Sequence, residues 1–269
     1  MQSLYSLLGI ARIAVRERMQ YRFDFFMTLF ATLMFSSLYY MLWKAIYAHS
    51  ADETMPWNQL ITYIMIGQAV NFARWSPADR APVYGLSTRL RSGDLALDLI
   101  RPIGFGWRRF LEAAGFFAVE MLWVNIPCLL LFVFALGIDP PAGGSAAFGY
   151  IFALLVAFLV AYSINSIVMM LSFWTTNAQG LQIAKTAVVG LLAGTVIPFE
   201  FFPHWLQTVA TLLPFQSLAY IPLSVYTGRV AGTDMLSLLG RQLVWAAVML
   251  GVSRYLWSLA TRRIVIYGG

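Results

Sequence analysis

Seven arginines and three aspartates lie within residues 74–109, a long polar interval in a strongly apolar chain. Guanidinium groups in such numbers pair with carboxylates, phosphates or anionic lipid headgroups. The interval lies between two segments apolar enough to cross a bilayer, and arginine-rich connections between spans stay in the cytoplasm. It contains its own helical pattern and a Ser-Gly-Asp-Leu turn, so it is more than a linker. We interpret it as a cytoplasmic surface made for a partner.

No motif for catalysis or metal binding accompanies this interval. The chain has no Gly-x-x-x-x-Gly-Lys-Ser/Thr loop, so nothing in it cradles nucleotide phosphates as a P-loop does. It has no His-x-x-x-His or Glu-x-x-His spacing and no Gly-x-Ser-x-Gly elbow. Its single cysteine, Cys128, and its two histidines, His49 and His204, lie far apart. We therefore predict that the chain is not an enzyme and binds neither a metal ion nor a cofactor.

The composition is that of a membrane protein. Of the 269 residues, 60% are hydrophobic and only 11% are charged, whereas soluble domains are about a quarter charged. Arginine supplies almost all of the net charge of +6. Because most of these arginines fall in predicted cytoplasmic segments, with Arg229 an exception on the outer side, they indicate membrane topology and no nucleic-acid partner.

The apolar runs predict an all-α polytopic membrane protein, one transmembrane domain over residues 1–269 with six transmembrane helices and both termini in the cytoplasm. Residues 1–22 have the periodicity of an amphipathic helix lying at the cytoplasmic interface. The second span has a short apolar core, so its helix either tilts little or starts earlier, near Trp57. The predicted spans are approximately 23–47, 60–72, 110–136, 148–174, 181–197 and 235–260.

The segment 198–229, between the fifth and sixth spans, is apolar and aromatic but is interrupted by prolines too closely spaced for a full crossing. It is predicted to be a re-entrant hairpin of short helices that dips into the outer leaflet and returns. Its aromatic side chains are predicted to anchor it in the leaflet, with a gating role at the outer end of a path as an addition. The prolines are Pro198, Pro203, Pro214 and Pro222, and the aromatics are Phe199, Phe201, Phe202, Trp205 and Phe215.

Polar residues inside the predicted spans are candidates for a transport path. Glu120 lies in the third span, where a carboxylate needs a partner or water, and it either faces a path or pairs with another helix. Asn165 in the fourth span either lines a polar route or hydrogen-bonds across helices. Glu112 is placed nearer the cytoplasmic end, where it is solvated or pairs with Arg108 four residues before it.

Gly190 and Gly194 in the fifth span form a Gly-x-x-x-Gly pattern, which permits close approach of two helices. The pattern suits packing within one subunit, and the alternative is a seam between two subunits.

Three separated motifs carry a family resemblance. They are Tyr-Arg-Phe-Asp-Phe at residues 21–25, Arg-Leu-Arg-Ser-Gly-Asp-Leu-Ala-Leu-Asp-Leu-Ile-Arg-Pro at 89–102, and Phe-Phe-Pro, Leu-Pro-Phe and Tyr-Thr-Gly-Arg within 198–229. Together, and in this order, they resemble the ABC-2 type permease subunits of bacterial ABC exporters over nearly the whole chain.

The resemblance implies that residues 74–109 contain a coupling helix seated on a separate ATPase subunit. It implies as partners ABC ATPase subunits that bind ATP and Mg²⁺, a second permease subunit, identical or related, and membrane lipids, in the bacterial inner membrane. Gly93 lets the backbone turn and Asp94 can cap the helix that follows. The alternative is that the arginines only set topology and bind lipid headgroups. The residues to which we assign the coupling role are Arg89, Arg91, Gly93, Asp94, Leu95, Arg101 and Pro102.

The predicted function is therefore the permease subunit of an ATP-driven exporter for an amphipathic or hydrophobic substrate such as a drug, a peptide or a lipid-like molecule. An ion-coupled secondary transporter that uses Glu120 is the alternative, although such carriers usually contain more membrane carboxylates. A structural membrane protein without a path would leave the hairpin at 198–229 unexplained.

Overall fold

The computed structural model describes residues 22–49, 55–74, 105–171, 174–175 and 178–267, and within these ranges the chain is helical with no strand. The predicted interfacial helix at 1–22 and most of the loop at 74–109 lie outside the described residues. In chain order the α-helices are α1 Arg22–His49, α2 Trp57–Arg74, α3 Phe105–Glu120, α4 Ile126–Leu136, α5 Gly144–Leu171, α6 Ala178–Leu192, α7 His204–Leu212, α8 Tyr220–Tyr226 and α9 Gly232–Tyr267.

Four helical stretches of the described chain are long and apolar enough to cross a membrane: Phe26–His49, Gly106–Leu136, Gly144–Leu171 and Gly232–Ala260. They coincide with the first, third, fourth and sixth predicted spans. Helices α2 and α6, where the second and fifth spans are predicted, have 18 and 15 residues. At about 1.5 Å per residue, α6 extends over only about 22 Å of a hydrocarbon core about 30 Å thick. Six crossings therefore stay a prediction.

Helix α2 forms the centre of the fold. From Leu60 to Val70 all its side chains are buried, in contact with α1, α3, α4 and α8. The helix begins at Trp57, as its short apolar core suggested. A helix surrounded by protein can carry polar side chains, because its neighbours supply hydrogen-bond partners that lipid does not.

The third predicted span is one helical stretch with a π-helical turn, Met121–Asn125, between α3 and α4. Within it the backbone N–H of Ile126 donates to the Met121 carbonyl, five residues back. The cause lies in the next residue, Pro127, which has no N–H and whose ring crowds the carbonyl four residues before it. Pro127 thus adds one residue to the helical turn that precedes it. Helix α4 then ends at Leu136, and the next residue, Gly137, has a left-handed φ of 63°.

Segment 198–229, called the hairpin below, consists of short helices as predicted: a 3₁₀ turn at Phe199–Phe201, α7, a second 3₁₀ turn at Pro214–Leu218, and α8. Two features differ from the prediction. Pro222 does not break a helix, because it lies in the first turn of α8, where a backbone N–H has no intrahelical partner to lose. The inner side of the hairpin is also buried, with Phe199, Leu218 and Leu223 at 0–2% exposure.

Two long helices hold the hairpin in place. Helix α9 packs along α5, and α8 and the second 3₁₀ turn lie against α5. The side-chain amide of Gln242 on α9 is fully buried and donates to the carbonyls of Ala153, 2.9 Å away, and Ser217, 2.8 Å away. One amide therefore joins α9, α5 and the hairpin.

Candidate functional site

Helix α2 is hydrogen-bonded through its side chains to backbone far along the sequence. The Tyr63 hydroxyl donates to the Gly194 carbonyl at 2.8 Å, and Gln59 donates to the Thr227 carbonyl at 3.4 Å. Thr62 accepts from the backbone N–H of Asp139 at 3.1 Å. The central helix is thus attached to the turn after α6, to the end of the hairpin and to the loop after α4.

An ion pair joins the two ends of the hairpin. Arg229 Nη2 lies 2.5 Å from Glu200 Oε1, and the two side chains are only 20% and 15% exposed. The Tyr220 hydroxyl donates to the same carboxylate oxygen at 3.3 Å. In surroundings this apolar the pair must stay together, because separating it would leave two buried charges uncompensated.

Burial and the Glu200 carboxylate both raise the pKa of Tyr220, so its hydroxyl remains a donor. Burial by itself lowers the pKa of Arg229, but the hydrogen bond and charge of Glu200 outweigh it and raise that pKa. Both groups lie outside the four candidate spans. A neutral Tyr220 hydroxyl and a charged Arg229 guanidinium therefore both bind the Glu200 carboxylate.

Gly194 occupies the tight point between α6 and the hairpin. Its φ is 74°, and a Cβ added there would lie 2.8 Å from the Phe199 ring and 3.2 Å from the Tyr63 hydroxyl. Helix α6 ends at Leu192 rather than at 197, so Gly190 and Gly194 do not form one helical face. A Cβ at Gly190 would meet nothing within 4 Å. Its predicted role in packing stays a prediction.

We expect Gly194→Ala to destabilise the protein by about 2–4 kcal/mol, because it combines a left-handed backbone with overpacking against Phe199. Gly190→Ala is the matched control on open helix surface, where alanine favours the helix by about 1 kcal/mol. Thermal unfolding in detergent measures both. Equal melting temperatures for the two variants would contradict the assignment.

Glu120 is buried at the start of the π turn, at 1% exposure, in the middle of the stretch Gly106–Leu136. Asn125, at the end of the same turn, is also buried, and its amide nitrogen lies 3.5 Å from the Met121 sulfur. The π turn lies against α1 and α2. π-Helical turns occur frequently at functional sites.

Asn165 accepts a hydrogen bond at 2.8 Å from Lys185, which lies half-way along α6. The contact joins α5 and α6 by a polar pair. Sequence reasoning predicted Asn165 and overlooked Lys185, although a lone lysine within a predicted span is a signal of its own.

The sequence profile of the ABC-2 family transporter protein matches residues 25–268, almost the entire chain, including all four candidate spans and the hairpin. The chain belongs to the ABC-2 transporter family. It is therefore an integral membrane protein of the permease type, and permeases of this family work with ABC ATPase subunits. No curated protein matches the chain.

The hairpin aromatics of this ABC-2 family member divide into two groups. Phe199 is fully buried and stacks on Tyr220 with ring centroids 4.3 Å apart, and Phe202 is 9% exposed. Phe201 and Phe215 are partly buried against the core. Trp205 is 68% exposed. Anchoring in lipid requires exposure, which the buried Phe199 and Phe202 lack. Anchoring by Trp205, Phe201 and Phe215 and gating by the buried rings stay predictions.

The coupling residues assigned from the family resemblance lie outside the described residues, so their role stays a prediction. They are Arg89, Arg91, Gly93, Asp94, Leu95, Arg101 and Pro102. The described chain resumes at α3, where Glu112 lies 3.7 Å from Arg108, as its spacing predicted, and 3.2 Å from Arg109. In the part of the chain that the structure describes, no group of His, Cys, Asp and Glu could hold a metal ion.

Sequence reasoning missed the residues that connect the hairpin to the rest of this ABC-2 permease. Tyr63, Gln242 and the partnership of Glu200 with Arg229 all depend on contacts between distant positions. Only Arg229 gave a signal, as a cation on the outer side of the predicted topology, where arginine is not expected. A buried carboxylate partner explains why it is tolerated there.

We expect Glu120→Gln to change transport by about tenfold for at least one amphipathic dye if the carboxylate lines the path, because hydrogen bonds to a charged group are worth about 1.5–3 kcal/mol. Glu112→Gln, on the part-exposed ion pair of α3, is the control and should leave the profile unchanged. The measurement is efflux of a panel of cationic and neutral dyes from cells that express each variant. An unchanged profile would make Glu120 a packing residue.

Proposed function

We propose that this chain is the membrane-spanning permease subunit of an ATP-driven ABC exporter. It moves an amphipathic or hydrophobic substrate out of the cytoplasm or the inner leaflet. A separate ATPase subunit binds ATP and Mg²⁺, and a second permease subunit, identical or related, completes the complex. The chain crosses the bacterial inner membrane six times with both termini in the cytoplasm.

The single observation that carries this proposal is the family match over residues 25–268. Two features of the sequence agree with it. The chain has no P-loop, so the nucleotide must bind to another chain. The arginine-rich interval at 74–109 lies between the first two and the last four predicted spans, where a cytoplasmic partner can reach it.

The chemistry of the spans supports the proposed class of substrate. The candidate spans contain few ionisable groups and many aromatic and methionine side chains, which bind apolar surfaces better than highly charged ones. A lipid-linked glycan also fits this class through its lipid portion.

Affinity purification of the tagged protein in mild detergent, followed by mass spectrometry and an ATPase assay, tests the proposal. We expect a P-loop ATPase and a second permease copy in the purified complex, with vanadate-sensitive hydrolysis of ATP. Recovery of the chain with no ATPase, in each of several mild detergents, would contradict the proposal. It would favour the ion-coupled carrier, for which buried Glu120 is the residue to test.

A further inference from the structure

The turn between α6 and the hairpin depends on a side chain of α2. In a continuing helix the Gly194 carbonyl would accept from the N–H of residue 198, but that residue is Pro198 and has none. The Tyr63 hydroxyl donates to this carbonyl at 2.8 Å, and Tyr63 is fully buried. The Gln68 amide approaches the next carbonyl, that of Thr195, at 3.5 Å. The turn is therefore attached to the central helix.

The other end of the hairpin is attached to the same helix. Gln59, in the first turn of α2, donates to the Thr227 carbonyl at 3.4 Å. The ion pair between Glu200 and Arg229 then joins the two ends to each other. Helix α2 thus contacts both ends of the hairpin, through Tyr63 and Gln59. These two residues lie about one helical turn apart.

Helix α2 is also the element that leads into the arginine-rich interval, since it ends at Arg74. A force applied to that interval therefore acts directly on α2 at one end, as it does on α3 at the other. Because α2 is buried along most of its length, it can shift only together with the groups that are bonded to it.

We propose that Tyr63, with the Glu200–Arg229 pair, is a positioning residue that makes the hairpin move with α2 when the ATPase binds ATP. This inference rests on the proposed function. Without the Tyr63 hydroxyl, the turn is attached to α2 only through the longer contact of Gln68 with the Thr195 carbonyl. The hairpin then follows α2 less closely, although ATP is still hydrolysed.

A fluorescent probe on the hairpin tests this inference in the purified complex with its ATPase, in lipid nanodiscs. Cys128 is buried and is replaced by alanine, and Leu212→Cys on α7, at a position 68% exposed, receives an environment-sensitive maleimide dye. The probe response is the change in emission on adding ATP and orthovanadate. We expect Tyr63→Phe to reduce this response at least about threefold, while the rate of ATP hydrolysis stays within about twofold, since one buried hydrogen bond is worth about 1 kcal/mol.

Tyr226→Phe is the matched control. Tyr226 is also a buried tyrosine whose hydroxyl donates to a backbone carbonyl, that of Asp139 at 3.3 Å, but neither group lies on α2. The bond from the Asp139 N–H to Thr62 on α2 is kept in this variant. It should cost similar stability and leave the probe response unchanged. An undiminished response in Tyr63→Phe, or an equal loss in Tyr226→Phe, would overturn the inference alone. Failure of the parent protein to copurify with an ATPase would overturn the proposed function and the inference with it.

Discussion

Replacing Glu200 with leucine will lower the free energy of unfolding by about 3 kcal/mol. The substitution leaves the Arg229 guanidinium largely buried without its carboxylate, and breaking a buried pair by removing one partner costs about 3–5 kcal/mol. The lower end of that range applies because the side chains are 15% and 20% exposed. The measurement is thermal or denaturant-induced unfolding of the purified protein in detergent.

The double variant Glu200→Leu with Arg229→Leu separates this charge effect from a loss of packing. Replacing both partners of a buried pair by apolar residues is often neutral or stabilising, so the double variant should recover most of the stability lost in the single one. If it is as unstable as Glu200→Leu, the ion pair is not what holds the ends of the hairpin together.

Reversing the charge at Asp94 will remove most of the ATPase from the purified complex. In the coupling assignment, Asp94 caps the helix that is seated on the ATPase, so arginine there removes the cap and places a cation in the contact. Losing a helix cap costs about 0.5–2 kcal/mol, which corresponds to a loss of bound ATPase of up to about 30-fold. Quantitative mass spectrometry of the affinity-purified complex measures it.

Asp79→Arg is the control for this experiment, because it makes the same change of charge in the same interval but outside the assigned coupling residues. It should retain the ATPase. Equal loss in both variants would mean that the interval acts through its overall charge, as expected if its arginines only set topology and bind headgroups. Retention in both would remove Asp94 from the coupling role.

Together these contacts describe an ABC-2 permease whose hairpin is part of its core. Phe199 and Leu218 are buried in protein, and Gln242 joins the hairpin to α5 and α9. Displacing the hairpin therefore breaks specific hydrogen bonds and ring contacts with other helices. A hairpin surrounded only by lipid would break no such contacts when it moves.

The sequence by itself determined the class of the protein and the approximate positions of the four candidate spans. Runs of apolar residues long enough to cross a bilayer predicted the four candidate spans, and prolines predicted the short helices of the hairpin. These features depend on local chemistry, such as missing N–H groups and side-chain transfer into an apolar medium, which each segment carries in its own residues. The family resemblance also rested on local motifs, and it was confirmed.

Only the tertiary structure decided which apolar helix lies in protein and which polar residues meet. Lipid and the protein interior are both apolar, so the hydropathy of α2 could not show that neighbouring helices surround it. Tyr63 and Gly194 are separated by 131 positions, and no local pattern records such a contact. Glu200 and Arg229 each look like an isolated charge in the sequence, and their pairing exists because the hairpin folds back against α2 and α5.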